Sequence, residues 1–193
     1  MKDLLNIFRD TRPKIQPHTK HTVMEMLRTR LDLSTHDSRV RLRFGREDDF
    51  AVIMDLQRRG YQGYEAWRLH DFQHDWRRNP HGVYLVLEES EGPHPKMVAF
   101  IVGRFRSRGS HISHIIVDPD LQGKSYGKLL MQKWVECAKI LRTPKISLEV
   151  RQSNYRAQQL YQGFGFEKRH IKPYYYSNNN EDGVEMICDL RRI

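Results

Sequence analysis

The segment Ile115-Ile116-Val117-Asp118-Pro119-Asp120-Leu121-Gln122-Gly123-Lys124-Ser125-Tyr126-Gly127-Lys128 is where residue type and spacing most clearly allow chemistry. An apolar run enters a short turn carrying Gly123, Lys124, Gly127 and Lys128, and a helical pattern starts where the turn ends. Such a turn aims backbone N–H groups and the positive end of a helix at one point, which suits a phosphate or pyrophosphate. Two nucleotide motifs fail the comparison. In a P-loop, Gly123-Lys124-Ser125 would be the closing G-K-S, and the required upstream glycine falls on Asp118. A G-x-G-x-x-G dinucleotide turn is absent, as is its acidic ribose partner in a following parallel strand. Elsewhere His70 and His74 have the i, i+4 spacing of an H-E-x-x-H zinc site, but Asp71 stands in the Glu position and no third ligand is evident. No metal is expected. Cys137 and Cys188 lack C-x-x-C and metal-ligand spacing and read as buried thiols of a reducing compartment; Cys137 has no activating His nearby in sequence.

These residues need elements to hold them. Val40, Leu42 and Phe44 interleave with Arg39, Arg41 and Arg43, a half-buried strand that marks the expected domain start at Arg39. Before it, residues 1–38 read as a basic, partly ordered extension whose Val23, Met24, Leu27 and Leu31 have helical spacing. Helices are expected from Glu47 to near Gly60, with acidic residues at the positive helix end, and from Glu65 to Trp76, joined by the aromatic loop Tyr61 to Tyr64. Strands follow at Val83–Leu87 and Met97–Phe105, linked by a polar connection over Glu88 to Pro93, and at His111–Val117. The rest reads as helix Gly127–Leu141, strand Lys145–Val150, helix Asn154–Phe164, extended Gly165–Ile171 and a last strand Val184–Leu190. That order predicts an α/β (α+β) domain over residues 39–193, a mixed sheet of about seven strands flanked by about four helices.

A chain of 193 residues has room for one domain of ordinary size with some to spare. Its 33 Lys plus Arg against 24 Asp plus Glu give a formal charge of +9, which favours an anionic partner without naming one. The basic residues are scattered and form no recognisable nucleic-acid module, so a solvated basic surface is the plainer reading. No apolar run approaches the roughly 18 residues of a membrane span, and a cytoplasmic location with no membrane partner is expected.

The turn after Val117 resembles the acetyl-CoA-binding turn of the GNAT superfamily of N-acetyltransferases, Q/R-x-x-G-x-G/A between a strand and a helix. Gln122 and Gly127 match, while the middle glycine is Ser125. Downstream, Leu148-Glu149-Val150-Arg151 with Ser153-Asn154, Leu160-Tyr161 with Gly165-Phe166, and Tyr174-Tyr175 with Glu181-Asp182 and Met186 resemble, in order and spacing, the ribosomal-protein-alanine and archaeal N-terminal acetyltransferases of that superfamily. The similarity covers about Arg39 to Leu190 and is specific from Ser113 onward. It implies a GNAT fold, acetyl-CoA as cofactor and a protein N-terminus as acceptor, that of a ribosomal protein beginning with Ala or Ser; the basic residues before Arg39 suit weak contact with ribosomal RNA.

Carried over by position, the resemblance places Ile115, Ile116 and Val117 along the pantetheine arm and Gln122, Gly123, Lys124, Ser125, Tyr126, Gly127 and Lys128 around the pyrophosphate. Asn154 falls near the thiol end, Glu149 becomes the general base and Tyr161 the general acid. Tyr61, Tyr64, Tyr174, Tyr175 and Tyr176, in two expected loops, would frame the acceptor peptide. The chemistry suits those types: an amine attacking a thioester must lose a proton, and the departing thiolate must gain one. Each role has a plainer alternative. Alternation puts Glu149 on the face of Ser147 and Arg151, where it could be a surface carboxylate paired with an arginine. Tyr161 shares a helical face with Ala157, Leu160 and Phe164, as a core aromatic would. Tyr174 to Tyr176 could be strand-end packing. Transfer to a lysine or a small-molecule amine, and a non-catalytic RNA- or ribosome-binding module on the same fold, stay open.

Overall fold

The structure is a computed structural model and describes residues 20–90 and 95–192, with side chains from Val23 onward. Residues 1–19 of the expected extension and 91–93 of the expected hairpin connection lie outside the described residues. In chain order the elements are α1 (Lys20–Arg30), β1 (Val40–Phe44), α2 (Phe50–Gly60), α3 (Leu69–Arg78), β2 (Gly82–Glu89), β3 (Lys96–Arg106), β4 (Gly109–Val117), α4 (Tyr126–Ile140), β5 (Lys145–Arg151), α5 (Tyr155–Gln162), β6 (Glu167–Tyr176) and β7 (Glu181–Asp189). Seven strands form one mixed sheet in the order β1-β2-β3-β4-β5-β7-β6. Every neighbouring pair is antiparallel except β4 with β5. No described helix is long and apolar enough to cross a membrane.

Two apolar clusters sandwich the sheet. On one face α4 lays down Leu130, Met131, Trp134, Cys137 and Ala138 at helical spacing against β3, β4 and β5. Trp134 stacks on Phe105 with ring centroids 4.6 Å apart, and its indole N–H donates to Ser110 Oγ at 2.9 Å. On the other face Phe50, Ile53 and Leu56 of α2 and Phe72 of α3 cover Tyr84, Val86, Phe100, Val102 and Ile116. Full burial of an aliphatic or aromatic side chain of this size contributes about 1.5–3 kcal/mol. Because helices lie on both faces of β2 and β3, these strands are apolar at nearly every position rather than alternately. The helices α2 and α3 stop short of β5 and β7, leaving Ser147, Glu149, Arg151 and Glu185 as a polar floor beside them.

Strand β4 carries a bulge. Gly103 faces Ile112 and Val102 faces His114, so Ser113 is the extra residue. The bulge moves the inward-facing set: Ile112 packs in the α4 cluster and Ile116 in the α2–α3 cluster. Gly103 makes this possible, because a Cβ there would lie 2.1 Å from the His111 carbonyl oxygen.

Several boundaries differ from expectation for local reasons. The helix expected from Glu47 begins as a 3-10 turn at Glu47–Asp49, since Asp49 is buried and bonded to Arg43 at 2.7 and 2.8 Å and to the Arg46 N–H at 2.7 Å. The helix expected from Glu65 starts at Leu69, because the Gln57 side-chain amide ties up both backbone groups of Trp67 and Asp71 caps Arg68 N–H at 2.8 Å. Strand β6 runs through Tyr176 and β7 starts at Glu181, so Tyr174 to Tyr176 close a strand rather than sit in a loop. The extension does not stay outside the core. Val23 and Leu27 of α1 are fully buried in the cluster that holds Leu130 and Trp134.

Candidate active site

Strands β4 and β5 are partners over only three positions, from Ser110 with Ile146 to Ile112 with Leu148. Beyond them a gap opens between the Val117 end of β4 and the Glu149 end of β5. Asp118 N–H donates to the Val98 carbonyl of β3 at 2.8 Å, so by strand alternation Val117 and Ile115 turn their N–H and C=O toward the gap, and Ile116 turns its own toward β3. The end of β4 is pinned: the fully buried Asp118 carboxylate meets the Arg59 guanidinium of α2 at 2.7 and 2.9 Å. Burial alone would raise its pKa, but Arg59 and the Asp120 N–H hold it below the usual carboxylate range.

A 3-10 turn over Pro119–Leu121 then delivers the chain to Gln122 and the start of α4. Gly123 has φ +97°, and a Cβ there would meet nothing within 4 Å, so open space borders the turn. Ser125 takes a left-handed conformation, φ 64°, at the N-cap of α4, where the resemblance has glycine. The first-turn N–H groups of α4, Tyr126 to Lys128, have no partner upstream within the helix. Gly127 faces Leu160 and Val117, where a Cβ would sit at ordinary contact distances of 3.4 and 3.6 Å. Not every side chain of the turn points into this space. Lys124 Nζ bonds the buried Glu89 carboxylate at 3.0 Å, Tyr126 hydrogen-bonds to the same carboxylate, and Gln122 Oε1 accepts from Arg156 at 3.1 Å. Lys128 is exposed. Asn154 caps α5, its Oδ1 accepting from Ala157 N–H at 3.1 Å. The turn and the start of α4 present backbone N–H groups of the kind that bind a pyrophosphate, and beyond Ile112 the β4 edge has no β5 partner.

At the lip of the gap lies Glu149, its side chain 11% exposed and with no arginine on it. Lys172 Nζ bonds Oε1 at 2.6 Å, His111 Nε2 lies 3.4 Å from Oε2, and Tyr175 also hydrogen-bonds to the carboxylate. Burial lowers Lys172, but Glu149 outweighs it and raises the ammonium above its ordinary value. Burial keeps His111 below its ordinary value, with Glu149 pulling the other way.

A second group gathers around Arg151. Its guanidinium carbon lies 4.0 Å from the Tyr176 ring centroid and 5.8 Å from that of Tyr64, distances at which a cation is attracted to a ring face. Glu181 accepts from Arg151 at 3.0 Å and from Ser153 N–H at 2.8 Å. Although burial opposes it, these bonds hold the Glu181 pKa down to about 2. Tyr161 and Tyr61 border this group: burial first, then their mutual proximity, pushes the Tyr161 phenol far up, and burial pushes Tyr61 up to about 12. Both hold their protons near neutrality. Tyr61 Oη lies 3.4 Å from His114 Nδ1, and burial lowers His114 to about 4.

Of the five expected acceptor-site tyrosines, Tyr61, Tyr64 and Tyr176 meet around Arg151, and Tyr175 lies by Glu149 with its ring across Gly183. Tyr174 turns outward, 75% exposed. Sequence reasoning missed His111, Lys172, Arg151, Arg59 and Glu89 as site residues. Alternation had put Ser147, Glu149 and Arg151 on one face, but their partners come from strands whose pairing no local pattern reports.

Residues 50–166 match the family model described as the acetyltransferase (GNAT) family. A Bacillus subtilis protein provisionally named [ribosomal protein bS18]-alanine N-acetyltransferase is 34% identical over 120 residues, 62% of this chain and 77% of its own length. The Escherichia coli ribosomal-protein-S18-alanine N-acetyltransferase has a similar fold, with TM-score 0.69 and 23% identity over 78% of this chain and 94% of that one. So does a chain of the NatC complex bound to Gag peptide and CoA, with TM-score 0.67 and 20% identity over 78% of this chain and 98% of that one.

Proposed function

The chain belongs to the acetyltransferase (GNAT) family, and from that premise we propose that it transfers acetyl from acetyl-CoA to the N-terminal α-amine of a protein, a ribosomal protein starting with Ala or Ser. The observation that carries this reading is the gap between β4 and β5, with a backbone cradle at its far end and the Glu149 carboxylate at its lip. The cofactor supplies a thioester carbonyl for the amine to attack. Around it, Ile115 and Val117 offer backbone groups to the arm, and the turn from Gly123 to Lys128 offers N–H groups to the pyrophosphate. Glu149 takes the proton of the attacking amine, and Tyr161, kept protonated by burial, gives one to the departing thiolate. Tyr61, Tyr64 and Tyr176 form a wall suited to an extended chain end.

The similarity to the Bacillus subtilis protein supports a ribosomal acceptor, and the formal +9 charge supports weak contact with ribosomal RNA in the cytoplasm. Mass spectrometry of ribosomal proteins from cells with and without the chain tests this. One Ala- or Ser-first terminus should carry acetyl only when the chain is present; identical spectra would refute the ribosomal acceptor.

A further inference from the structure

We propose that Glu149 and His111 form one proton-holding pair, in which His111 Nε2 receives, through Glu149, the proton that the acceptor amine loses. The inference rests on Glu149 as the base of the reaction above. Sheet register builds the pair: His111 of β4 stands opposite Ser147 of β5, and Glu149 follows two residues on, on the same face.

In the pair as proposed, the imidazole carries its hydrogen on Nδ1, a tautomer that its neighbours accommodate. The Ser147 hydroxyl has one proton and donates it to the Ser110 carbonyl at 3.3 Å. With that proton so placed, its oxygen accepts from the His111 Nδ1 hydrogen across 3.1 Å. Nε2 therefore presents a lone pair to Glu149 Oε2 across 3.4 Å, longer than the roughly 2.8 Å of a formed charge-assisted hydrogen bond. Two lone pairs face each other over a space that takes one proton. Lys172 bonds Oε1, and Oε2 is the oxygen that faces His111 Nε2.

The groups facing the imidazole hold it neutral at rest. Burial is the largest effect, and Arg104 of β3 and Lys172 of β6 add to it, while Glu149 and Glu185 of β7 oppose. Tyr175 of β6 lies on the Glu149 side and His114 further along β4. In the step, an amine N–H bond breaks with its pair kept on nitrogen, and an O–H bond forms at Oε2. That bond then breaks as N–H forms at Nε2, leaving a carboxylate and an imidazolium. An ammonium loses two protons in becoming an amide: one is held here and released to water, and the other serves the thiolate. His111 acts through Glu149 and is a positioning residue that also stores the proton.

The test is the pH dependence of kcat/KM for an Ala-first peptide with the full chain and acetyl-CoA. His111→Gln puts an amide of similar reach in place of the Nε2 lone pair and cannot hold a proton. We expect KM within about twofold, kcat down about tenfold or more, and the acid limb displaced, because the variant leaves the transferred proton no acceptor beyond Oε2. Ser147→Ala, which frees the tautomer, should give a smaller loss in the same direction. His111→Gln with native kcat and acid limb would overturn the pair. So would nitrogen NMR of the native chain showing the hydrogen on Nε2 near neutrality, a result that needs no variant to fold. Glu149→Gln separates the two readings: an inactive Glu149→Gln beside a native His111→Gln sinks the pair alone, whereas a fully active Glu149→Gln sinks the base assignment beneath it.

Discussion

Replacing Glu149 by Gln keeps an oxygen for Lys172 to bond and removes only the capacity to take a proton. The expected result is a kcat lower by about 100-fold with acetyl-CoA affinity unchanged, read by steady-state kinetics and calorimetry. Tyr161→Phe should likewise lower kcat by about tenfold or more while the fold persists, because the ring stays against Phe166 and only the hydroxyl is lost. If both variants turn over at the native rate, the base and acid are other groups. At this scale the sequence was informative about residue types and silent about neighbours. Alternation along Ser147, Glu149 and Arg151 gave the polar face, yet the arginine partner imagined for Glu149 bonds Glu181 instead, and Lys172 takes its place. Lys172 reaches Glu149 through β7, which lies between their strands, and sheet order of that kind has no local signature.

The elements were legible where periodicity was clean. The stripe of α4 and the alternation of β5 match the expected spans to within a residue or two. The β4 bulge was not, because one extra residue in an apolar run leaves the composition unchanged, and yet it places His111 and His114 on the face that borders the site. Gly103→Ala tests its importance. A methyl group 2.1 Å from the His111 carbonyl cannot be absorbed by a side-chain rotation, so the strands must part. Denaturant unfolding should show a loss of about 2 kcal/mol or more, and a native midpoint would contradict the close approach. Helix α1 makes the second element-scale prediction. Deleting residues 1–19 keeps α1 with its buried Val23 and Leu27 and serves as the reference truncation. Deleting residues 1–38 strips Val23 and Leu27 from the cluster around Trp134 and should cost several kcal/mol or solubility, at about 1.5–3 kcal/mol for each buried aliphatic lost. Equal thermal midpoints for the two truncations would show that α1 adds nothing to the core.

For the molecule as a whole, the expected seven-strand mixed sheet is present, while the expected domain start at Arg39 left out a helix that the core takes in, since a short stripe of Val23, Leu27 and Leu31 in a basic segment resembles a loose extension. Stability should be acid-sensitive in two stages. The His114 pKa lies near 4 in the fold and near 6.5 unfolded, so the unfolded chain binds the proton first and stability falls as pH drops from 6.5 toward 4, by on the order of 3 kcal/mol at most. Glu181, at about 2 in the fold and 4.5 otherwise, adds a further loss as pH falls from 4.5 toward 2. Unfolding measured across pH 7 to 3 should show the first stage in the native chain and its absence in His114→Gln; the same slope in both would assign the loss elsewhere. The central claim concerns which amine is acetylated. An α-amine has a pKa of about 7.7 to 8.0 and a lysine about 10.4, so deprotonating lysine near neutrality costs roughly 3.5 kcal/mol more, and a carboxylate beside an ammonium suits the easier task. The most direct measurement is acetyl incorporation, by mass spectrometry, into two Ala-first peptides of one sequence with free lysines, one of them blocked at its terminus. The account predicts a single acetyl on the terminal amine of the open peptide and none on the blocked one; equal incorporation into both would contradict it.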